Sequence, residues 1–441
     1  MLPRRPALKR FPVDVKLDIE HTAGGRIAED FLGLGYETSS IAAGVPSGAD
    51  RPYVGLVKKL ARSGVIRVGG NTSDDAFFQA AATAISKPKG SVVNRANLDQ
   101  LAAFLDATGW RLIWGLNLGS GSAAEAAREA QAVAQAVRDK LLAFEIGNEP
   151  DLFGRGTHHR RDGYSYEDYL GEYRAYKTAI RREVPNAPFA GPDAASATDW
   201  VTRFAEDEGR DLKLLTHHYY RECAGDTSTI EKLLSADPKL KPELSRLQAA
   251  SKAAGVPYRI CEVNSFCGGG KAGVSDTLAS ALWVLDYMFT LAAFDASGLN
   301  LETGVNQLGW MSWYSPIVTD DRQAVSTRPD YTGMLAFAPS LGGERLSIDY
   351  AANGANLNVY AVKKGESIVM TLVNKDSRRD GVVTIASKQR LRPRALLRLT
   401  GPSLASKEDV NLRGDGAPDS LDLIVPSGSA AILTSYLVGA R

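Results

Sequence analysis

The chain contains few cysteines and carries almost no net charge. Only three of its 441 residues are cysteines, at positions 223, 261 and 267, so at most one intrachain disulfide can form and a disulfide framework is excluded. The 52 basic and 51 acidic residues leave a formal net charge of +1, which does not suggest a broad nucleic-acid-binding face. Any attraction for an anionic substrate must therefore come from local clustering of charge.

Long apolar runs and a nucleotide-binding motif are also absent. No stretch of 18 apolar residues occurs, so no membrane span is expected. The N-terminal segment is basic but has no apolar run, and we expect a secreted or periplasmic protein whose signal peptide is absent from this sequence. The nearest glycine pattern, Gly119-Ser120-Gly121, lacks the third glycine of a dinucleotide site and predicts a turn that opens a helix.

Short apolar segments alternate with segments of helical periodicity over most of the chain. Eight of them are predicted strands: Phe31–Glu37, Val65–Gly70, Arg111–Leu118, Leu141–Gly147, Pro188–Pro192, Leu212–Tyr220, Tyr258–Val263 and Gln307–Tyr314. The predicted helices between them include Leu98–Ala107, Ala123–Lys140, one that Ser165 and Asp168 would cap, and Thr277–Phe294. This alternation predicts an α/β fold, a (β/α)8 TIM barrel; a doubly wound sheet is the alternative.

The pattern changes after about residue 342, where short alternating segments follow one another without a helix. They predict a C-terminal β-sandwich domain over residues 343–441, after a catalytic barrel over residues 23–342. The strictly alternating segment Val13–Ile19 does not fit the barrel. We therefore expect the N-terminal segment, residues 1–22, to add a strand to the sandwich.

Two glutamates follow predicted barrel strands. Strand four runs into Gly147-Asn148-Glu149-Pro150, and strand seven contains Glu262. Catalytic groups of a barrel lie at the C-terminal ends of its strands. Glycosidic cleavage requires two carboxyl groups that flank one bond, so the pair predicts a glycoside hydrolase.

These segments also carry a resemblance. The sequences FEIGNEPDLF and THHYY, and the Glu262 segment that ends in Gly268-Gly269-Gly270, resemble the heparanase and β-glucuronidase family, glycoside hydrolase family 79. The resemblance implies a retaining mechanism with Glu149 as acid/base and Glu262 as nucleophile. It also implies a set of substrate-binding residues: Glu37, Asn71, Asn148, His217, Tyr219, Gly268, Gly269 and Tyr314.

Four of these residues are assigned from the direction of their side chains or from their backbone groups. His217 and Tyr219 would share one face of strand six, because side chains of a strand repeat every two residues, and the Tyr219 hydroxyl would orient Glu262. Gly268 and Gly269 would offer backbone N–H groups to the carboxylate of a uronic acid, since glycine permits close approach of an anion. Arg67 would support the charge of the nucleophile. Adjacent histidines on a strand point to opposite faces, so no metal site is expected.

The cysteines lie close to these segments. The family has a tyrosine where Cys267 stands, which removes one hydroxyl from the expected carboxylate site. Cys223 and Cys267 follow neighbouring strands and could pair, or could stay free. Cys261 is next to the inward-pointing Glu262, so it is expected to face the surrounding helices as a free thiol.

The loop after strand four is basic. Arg155, Arg160 and Arg161 form a possible subsite for a polyanion, since guanidinium groups bind carboxylate and sulfate well. This loop favours endo-acting cleavage of β-linked glucuronic acid in heparan sulfate. An exo-acting β-glucuronidase, a hydrolase of a neutral sugar and an inactive carbohydrate-binding protein are the alternatives. We expect a monomer with an anionic polysaccharide or glucuronide substrate and no cofactor.

Overall fold

The computed structural model of the protein describes residues 9–79, 90–156, 159–303, 312–319 and 324–438. Eight parallel strands close into a barrel in the order of the chain, and the eighth pairs with the first. The strands are Gly33–Glu37, Val65–Gly69, Arg111–Leu116, Leu141–Ile146, Phe189–Ala194, Leu212–Tyr220, Tyr258–Asn264 and Leu299–Glu302. The predicted (β/α)8 barrel is therefore confirmed.

The eighth strand is the one barrel strand whose predicted position is wrong. It covers Leu299–Glu302, whereas the sequence pattern predicted Gln307–Tyr314. Residues 304–311 of that prediction lie outside the described part of the chain, and Tyr314 lies in a turn. The observed strand has only four residues, and Asn300 is one of two polar side chains in it, so it lacks an apolar run.

Helices surround the barrel on the outside. They are Thr38–Ala42, Arg51–Leu60, Arg95–Thr108, Ala123–Val137, Tyr166–Glu183, Thr198–Glu208, Ile230–Leu234, Leu240–Ala254, Leu278–Ala293 and Pro329–Phe337. Ser165 and Asp168 form the predicted capping box, in which each side chain accepts the other's backbone N–H. Within the described residues, no helix is long and apolar enough to cross a membrane.

Nine further strands form one sheet, which we call the sheet domain; Phe77–Gln79 with Val92–Asn94 and Ile317–Thr319 with Val325–Thr327 form two small separate sheets. In spatial order the nine strands are Asn411–Gly414, Leu391–Thr400, Ser429–Leu437, Ser367–Asn374, Leu357–Lys364, Glu344–Ala351, Lys9–Arg26, Arg379–Ser387 and Leu423–Val425. Asn374 donates hydrogen bonds to Val425 O and Pro426 O, although four strands separate them in the sheet. The sheet therefore folds back on itself around one apolar core.

The sheet domain packs against the helix Leu278–Ala293. The rings of Phe289 and Tyr360 stack with centroids 4.5 Å apart. Asp286 of the same helix accepts hydrogen bonds from Asn358 and Tyr360 and pairs with Lys375. This helix follows barrel strand seven, so the sheet domain lies next to the segment that carries Glu262.

Candidate active site

Glu149 and Glu262 converge at the C-terminal face of the barrel. Glu149 follows strand four in the left-handed region, with φ 51°, and its backbone N–H donates to Asp193 O. A carboxylate oxygen of Glu149, one of Glu262 and a ring nitrogen of His218 all lie within 4.8 Å of one another. The two glutamate side chains are 15% and 12% exposed, so solvent reaches both through the barrel mouth.

A local irregularity in strand seven directs Glu262 into the barrel. Ile260 pairs with His217 of strand six, but Glu262 pairs with His218, so one residue is extra in strand seven. Such a bulge re-aims the side chains next to it. As a result Cys261 and Glu262 both point inward. The expectation that Cys261 faces the helices is wrong, because its buried thiol lies inside the barrel, with Ala143 and within 4.8 Å of carboxylate oxygens of Glu145 and Asp193.

Strand six presents to the site the opposite set of side chains from the one predicted. His218 and Tyr220 face the site, while His217 and Tyr219 point away, so the prediction for these two residues is wrong. Without the extra residue, Glu262 would pair with Tyr219, because both lie two positions after the Ile260 and His217 pair. With the extra residue in strand seven, Glu262 pairs with His218 instead. The Tyr219 hydroxyl instead donates to Asp237, 2.8 Å away on the outside of the barrel.

Two donors hold the carboxylate of Glu262. Tyr220 donates its hydroxyl to Oε1 at 2.9 Å, and Arg67 donates Nη1 to Oε2 at 2.7 Å. Arg67 is fully buried on strand two and also contacts Asn148, Glu145 and Asp193. A guanidinium and a hydroxyl that donate to the same carboxylate fix its direction.

His218 connects Glu149 to a buried carboxylate. Its Nδ1 lies 2.9 Å from Glu149 Oε1, and its Nε2 lies 2.8 Å from Asp193 Oδ1. Burial opposes a charge on His218, but the negative charges of Asp193 and Glu262 outweigh this and raise its pKa well above the usual value. Both ring nitrogens of His218 therefore donate.

Glu149 is set apart from an ordinary surface glutamate by its surroundings. Burial raises its pKa, the hydrogen bond from His218 opposes the shift, and the charge of Glu262 adds to it. A raised pKa keeps a proton on Glu149 at mildly acidic pH. The environment thus favours the protonated form of Glu149.

The other predicted binding residues lie around this pair. Asn148 donates from Nδ2 to Asn71 Oδ1 at 3.4 Å, so the ends of strands two and four meet. Glu37 ends strand one and accepts hydrogen bonds from the backbone and hydroxyl of Thr72. Tyr314, although it does not end strand eight, lies against Tyr220, with ring centroids 6.3 Å apart.

Gly268 and Gly269 begin a run of three glycines, with φ of 73°, 85° and 81°. Only glycine adopts three such conformations in succession without strain. A disulfide between Cys223 and Cys267 joins this loop to the loop after strand six, and Cys267 N also donates to Glu222 O. The loop is therefore anchored immediately before its glycines.

Sequence reasoning missed two buried carboxyl groups of the site, Asp193 and Glu302. Asp193 is 1% exposed at the end of strand five and receives hydrogen bonds from Arg67 and His218. Glu302 ends strand eight, and neither of its carboxylate oxygens has a hydrogen-bond partner within the described residues. Gly35 leaves room for it, since a Cβ there would lie 2.5 Å from Glu302 Oε2. The signal that could have found them is a polar residue at a barrel strand end.

The basic loop after strand four differs from the prediction. Arg160 donates to Glu172 and to the backbone oxygens of Leu118, Gly119 and His159. Its guanidinium is engaged within the protein, which reduces the support for assigning it to a polyanion subsite. Arg155 is exposed, and Arg161 is 80% exposed and 4.0 Å from Asp168. Their role stays a prediction.

Two groups of side chains have the spacing of metal ligands: Glu149 with His218 and Glu262, and Glu145 with Asp193 and Cys261. Arg67 donates hydrogen bonds to Glu145, Asp193 and Glu262, so its positive charge lies beside both groups. This proximity disfavours a cation in either place. The arrangement instead suits the transfer of a proton and the attack of a carboxylate.

Comparisons with known proteins agree with the resemblance seen in the sequence. A β-glucuronidase of Aspergillus niger is 26% identical over 344 residues, which cover 70% of this chain and 63% of that protein. A heparanase of Mus musculus is 29% identical over 213 residues, which cover 45% of this chain and 39% of that protein. The chain thus spans less than two thirds of the length of these curated relatives. No family model matches it.

Solved structures share the fold over nearly the whole chain. A 4-O-α-L-rhamnosyl-β-D-glucuronidase of Fusarium oxysporum 12S superposes with a TM-score of 0.75 at 17% identity, over 96% of this chain and all of that one. A family 51 arabinofuranosidase of Xanthomonas axonopodis pv. citri gives 0.73 at 18% identity, over 97% of this chain and all of that one. At such identities the likeness establishes the fold alone. Together with the sequence relatives, it confirms the resemblance to the heparanase and β-glucuronidase family.

Proposed function

We propose that this relative of heparanases and β-glucuronidases is a retaining glycoside hydrolase that cleaves β-linked glucuronic acid. The observation that carries the proposal is the pair of carboxylate oxygens of Glu149 and Glu262 within 4.8 Å of each other. Retaining enzymes hold their carboxyl groups about 5–5.5 Å apart, whereas inverting enzymes leave about 6.5–9.5 Å for a water molecule. The spacing here supports direct attack by a carboxylate.

In the proposed first step Glu262 attacks the anomeric carbon and the glycosidic bond breaks. Glu149 donates its proton to the leaving oxygen, which the raised pKa of this carboxyl makes possible. Arg67 and Tyr220 keep the attacking carboxylate oriented. The product of this step is a glycosyl ester of Glu262.

In the second step Glu149, now ionised, accepts a proton from water as the water attacks the same carbon. The ester bond to Glu262 breaks, and the sugar leaves with the configuration it had in the substrate. His218, charged and hydrogen-bonded to Glu149, stabilises the ionised form that this step requires. The same histidine is anchored by Asp193, so it need not move between the steps.

Selectivity for a uronic acid is proposed from the segment after Glu262. The backbone N–H groups of Gly268 and Gly269 and the Tyr314 hydroxyl would contact the sugar carboxylate. The names of the sequence relatives, β-glucuronidase and heparanase, support this substrate class. The heparan sulfate endo-activity rested on the basic loop, and with Arg160 engaged elsewhere that support is reduced. Exo-cleavage is therefore a second candidate.

The test uses a pair of aryl glycosides that differ only at C6. The protein should hydrolyse the β-glucuronide and not the β-glucoside, and proton NMR of the first-formed sugar should detect the β anomer. An α anomer would refute the retaining mechanism, and equal activity on both substrates would refute the uronic acid selectivity. Sizing the products from heparan sulfate then separates endo-cleavage, which yields mid-sized fragments, from exo-cleavage, which yields monosaccharide.

A further inference from the structure

A cluster of one tryptophan and two cations lies beside the glycine run. We call Trp313, Arg328 and Lys407 the rim cluster. Trp313 is partly exposed, and its backbone N–H donates to Gly269 O. The next residue is Tyr314, which packs on the tyrosine that donates to Glu262. The cluster therefore adjoins the wall of the catalytic pocket.

The two cations approach the same indole ring. The guanidinium carbon of Arg328 lies 5.8 Å from the ring centroid of Trp313, and the ammonium nitrogen of Lys407 lies 5.5 Å from it. An aromatic face attracts a cation at such distances and holds it in place. The one side-chain hydrogen bond that Arg328 makes to the described residues runs from Nη1 to Ser312 O. The remaining N–H groups of this guanidinium point to no acceptor in that part of the chain.

The sheet domain brings Lys407 to the catalytic face. Leu278 N donates to Ser406 O at 2.8 Å, and Ala279 N donates to Leu404 O at 3.0 Å. These two amides belong to the first turn of the helix after strand seven, where backbone N–H groups otherwise lack partners. The segment that ends at Lys407 is thus fixed by two backbone bonds, and the lysine is not on a free loop.

The charge of the pocket calls for such a cluster. The two cations inside the pocket, Arg67 and His218, already pair with Glu262, Glu149 and Asp193, so neither is free to bind an anionic substrate. An anionic substrate therefore needs positive charge from elsewhere.

The rim cluster has a surplus of positive charge. Lys407 forms an ion pair with Asp276 at 2.8 Å. This carboxylate neutralises one of the two positive charges of the cluster, so one positive charge remains. Burial raises the pKa of the nearby Asp330 to about 8, so this carboxyl adds no negative charge at neutral pH.

We propose that Arg328 and Lys407 bind an anionic group, a carboxylate or a sulfate, on a sugar unit adjoining the one that the two glutamates hold. This inference rests on the proposed function. It makes the sheet domain part of the substrate site, because one of the two cations comes from that domain.

The test measures binding without turnover. In a Glu262→Gln background, calorimetry at low salt compares two glucuronate-containing tetrasaccharides, one sulfated and one not. Lys407→Gln should weaken binding by about fivefold, the size of one partly exposed charge contact. Lys407→Arg should keep most of the affinity, and Lys388→Gln, an exposed lysine of the same domain, should match the parent. A loss for both ligands identifies a carboxylate as the bound group, and a loss for the sulfated ligand alone identifies a sulfate.

One result would overturn the inference. If Lys407→Gln lowers the melting temperature but binds both ligands like Lys388→Gln, the cluster only fastens the two domains together. The proposed function fails separately. If the unmodified protein cleaves no glucuronide while Lys407→Gln still weakens binding, the rim cluster stands and the hydrolase assignment does not.

Discussion

The loops after strands four and seven each follow a glutamate of the site, yet they use charge in opposite ways. The first is rich in arginines in the sequence, but Arg160 donates to Glu172 and to backbone oxygens of the neighbouring loop. The second has little charge of its own and lies next to Arg328 and Lys407, which are distant in the sequence. Basic residues near a catalytic motif therefore do not by themselves make an anion site.

The two loops are also held differently. The loop after strand four is fastened by one guanidinium that reaches Leu118 and Gly119, the residues that follow strand three. The loop after strand seven is fastened by the covalent bond between Cys223 and Cys267. A substitution that removes one of these two attachments should therefore loosen one loop and leave the other intact.

The largest expected effect separates the two glutamates themselves. Glu262→Gln should lower kcat on every glucuronide by about 10⁴-fold or more, because no other group can attack the anomeric carbon. Glu149→Gln should lower it by about 10²–10⁴-fold on a poor leaving group. On an aryl glucuronide with a good leaving group the first step should survive, visible as a burst of released phenol.

The exposed Glu206→Gln serves as the control for both changes, because it lies on an outer helix. Equal loss for Glu149→Gln on good and poor leaving groups would mean that Glu149 is not the general acid.

Breaking the disulfide should act on substrate binding through the glycine run. In Cys223→Ser/Cys267→Ser, KM for an aryl glucuronide should rise by about tenfold with a smaller change in kcat, because a loosened loop loses binding free energy of about 1–2 kcal/mol. The free energy of unfolding should also fall by about 2–4 kcal/mol.

Dithiothreitol provides the control for this pair. It should reproduce the higher KM in the unmodified protein and do nothing further to the double variant. An unchanged KM after complete reduction would mean that the bond stabilises the fold without positioning the loop.

Arg160→Ala should destabilise the fold instead of weakening polymer binding. It removes hydrogen bonds to a carboxylate and to three backbone oxygens, which we expect to cost about 1–3 kcal/mol in the free energy of unfolding. Chemical denaturation measures this cost, with Arg138→Ala, an exposed arginine whose pair with Asp106 is 3.4 Å long, as the control. A selective loss of polymer cleavage at full stability would restore the subsite assignment.

Much of the fold could be predicted because periodicity reports burial directly. Strand six was predicted with its observed bounds, Leu212–Tyr220, and the helix Leu278–Ala293 to within one residue at each end. The eighth strand could not be predicted, since four residues with Asn300 and Glu302 facing inward give no apolar run.

The two glutamates could be predicted for a similar reason, because strand ends mark the catalytic face. The direction of His218 could not be predicted, because alternation along strand six fits either face, and the residue that pairs with Glu262 depends on the bulge at Cys261. The partners of Arg160 could not be predicted either, because Glu172 lies on the following helix and Leu118 and Gly119 follow a different strand.

The protonation of Glu149 predicts the alkaline side of the pH profile. In the proposed mechanism the first step requires a proton on Glu149, so activity should be present below the pKa of this group and lost as the pH rises through it. Because burial raises that pKa, the alkaline limb of kcat/KM should lie above the ordinary value of 4.5.

Replacing His218 tests the position of this alkaline limb, since the hydrogen bond from His218 opposes the rise in the pKa of Glu149. In His218→Gln the alkaline limb should move to higher pH, in addition to any loss of rate. Glu302→Gln is the matched control. Its carboxyl has a pKa raised by burial and by the charge of Glu262, so a neutral amide should leave the limb where it was. A limb that moves equally in both variants would contradict the role given to His218.

The smallest effect is expected for the two exposed arginines of the first loop. Arg155→Ala/Arg161→Ala should change cleavage of heparan sulfate by no more than about twofold, because each side chain is solvated and one of them faces Asp168 at 4.0 Å. Raising the salt should reduce polymer cleavage by the same factor in this variant and in the unmodified protein, since screening would then act on charges outside this loop. If the double variant instead loses its salt dependence together with polymer cleavage, while an aryl glucuronide is hydrolysed as before, the charge that attracts the polymer lies after strand four. The contrast drawn between the two loops would then be reversed.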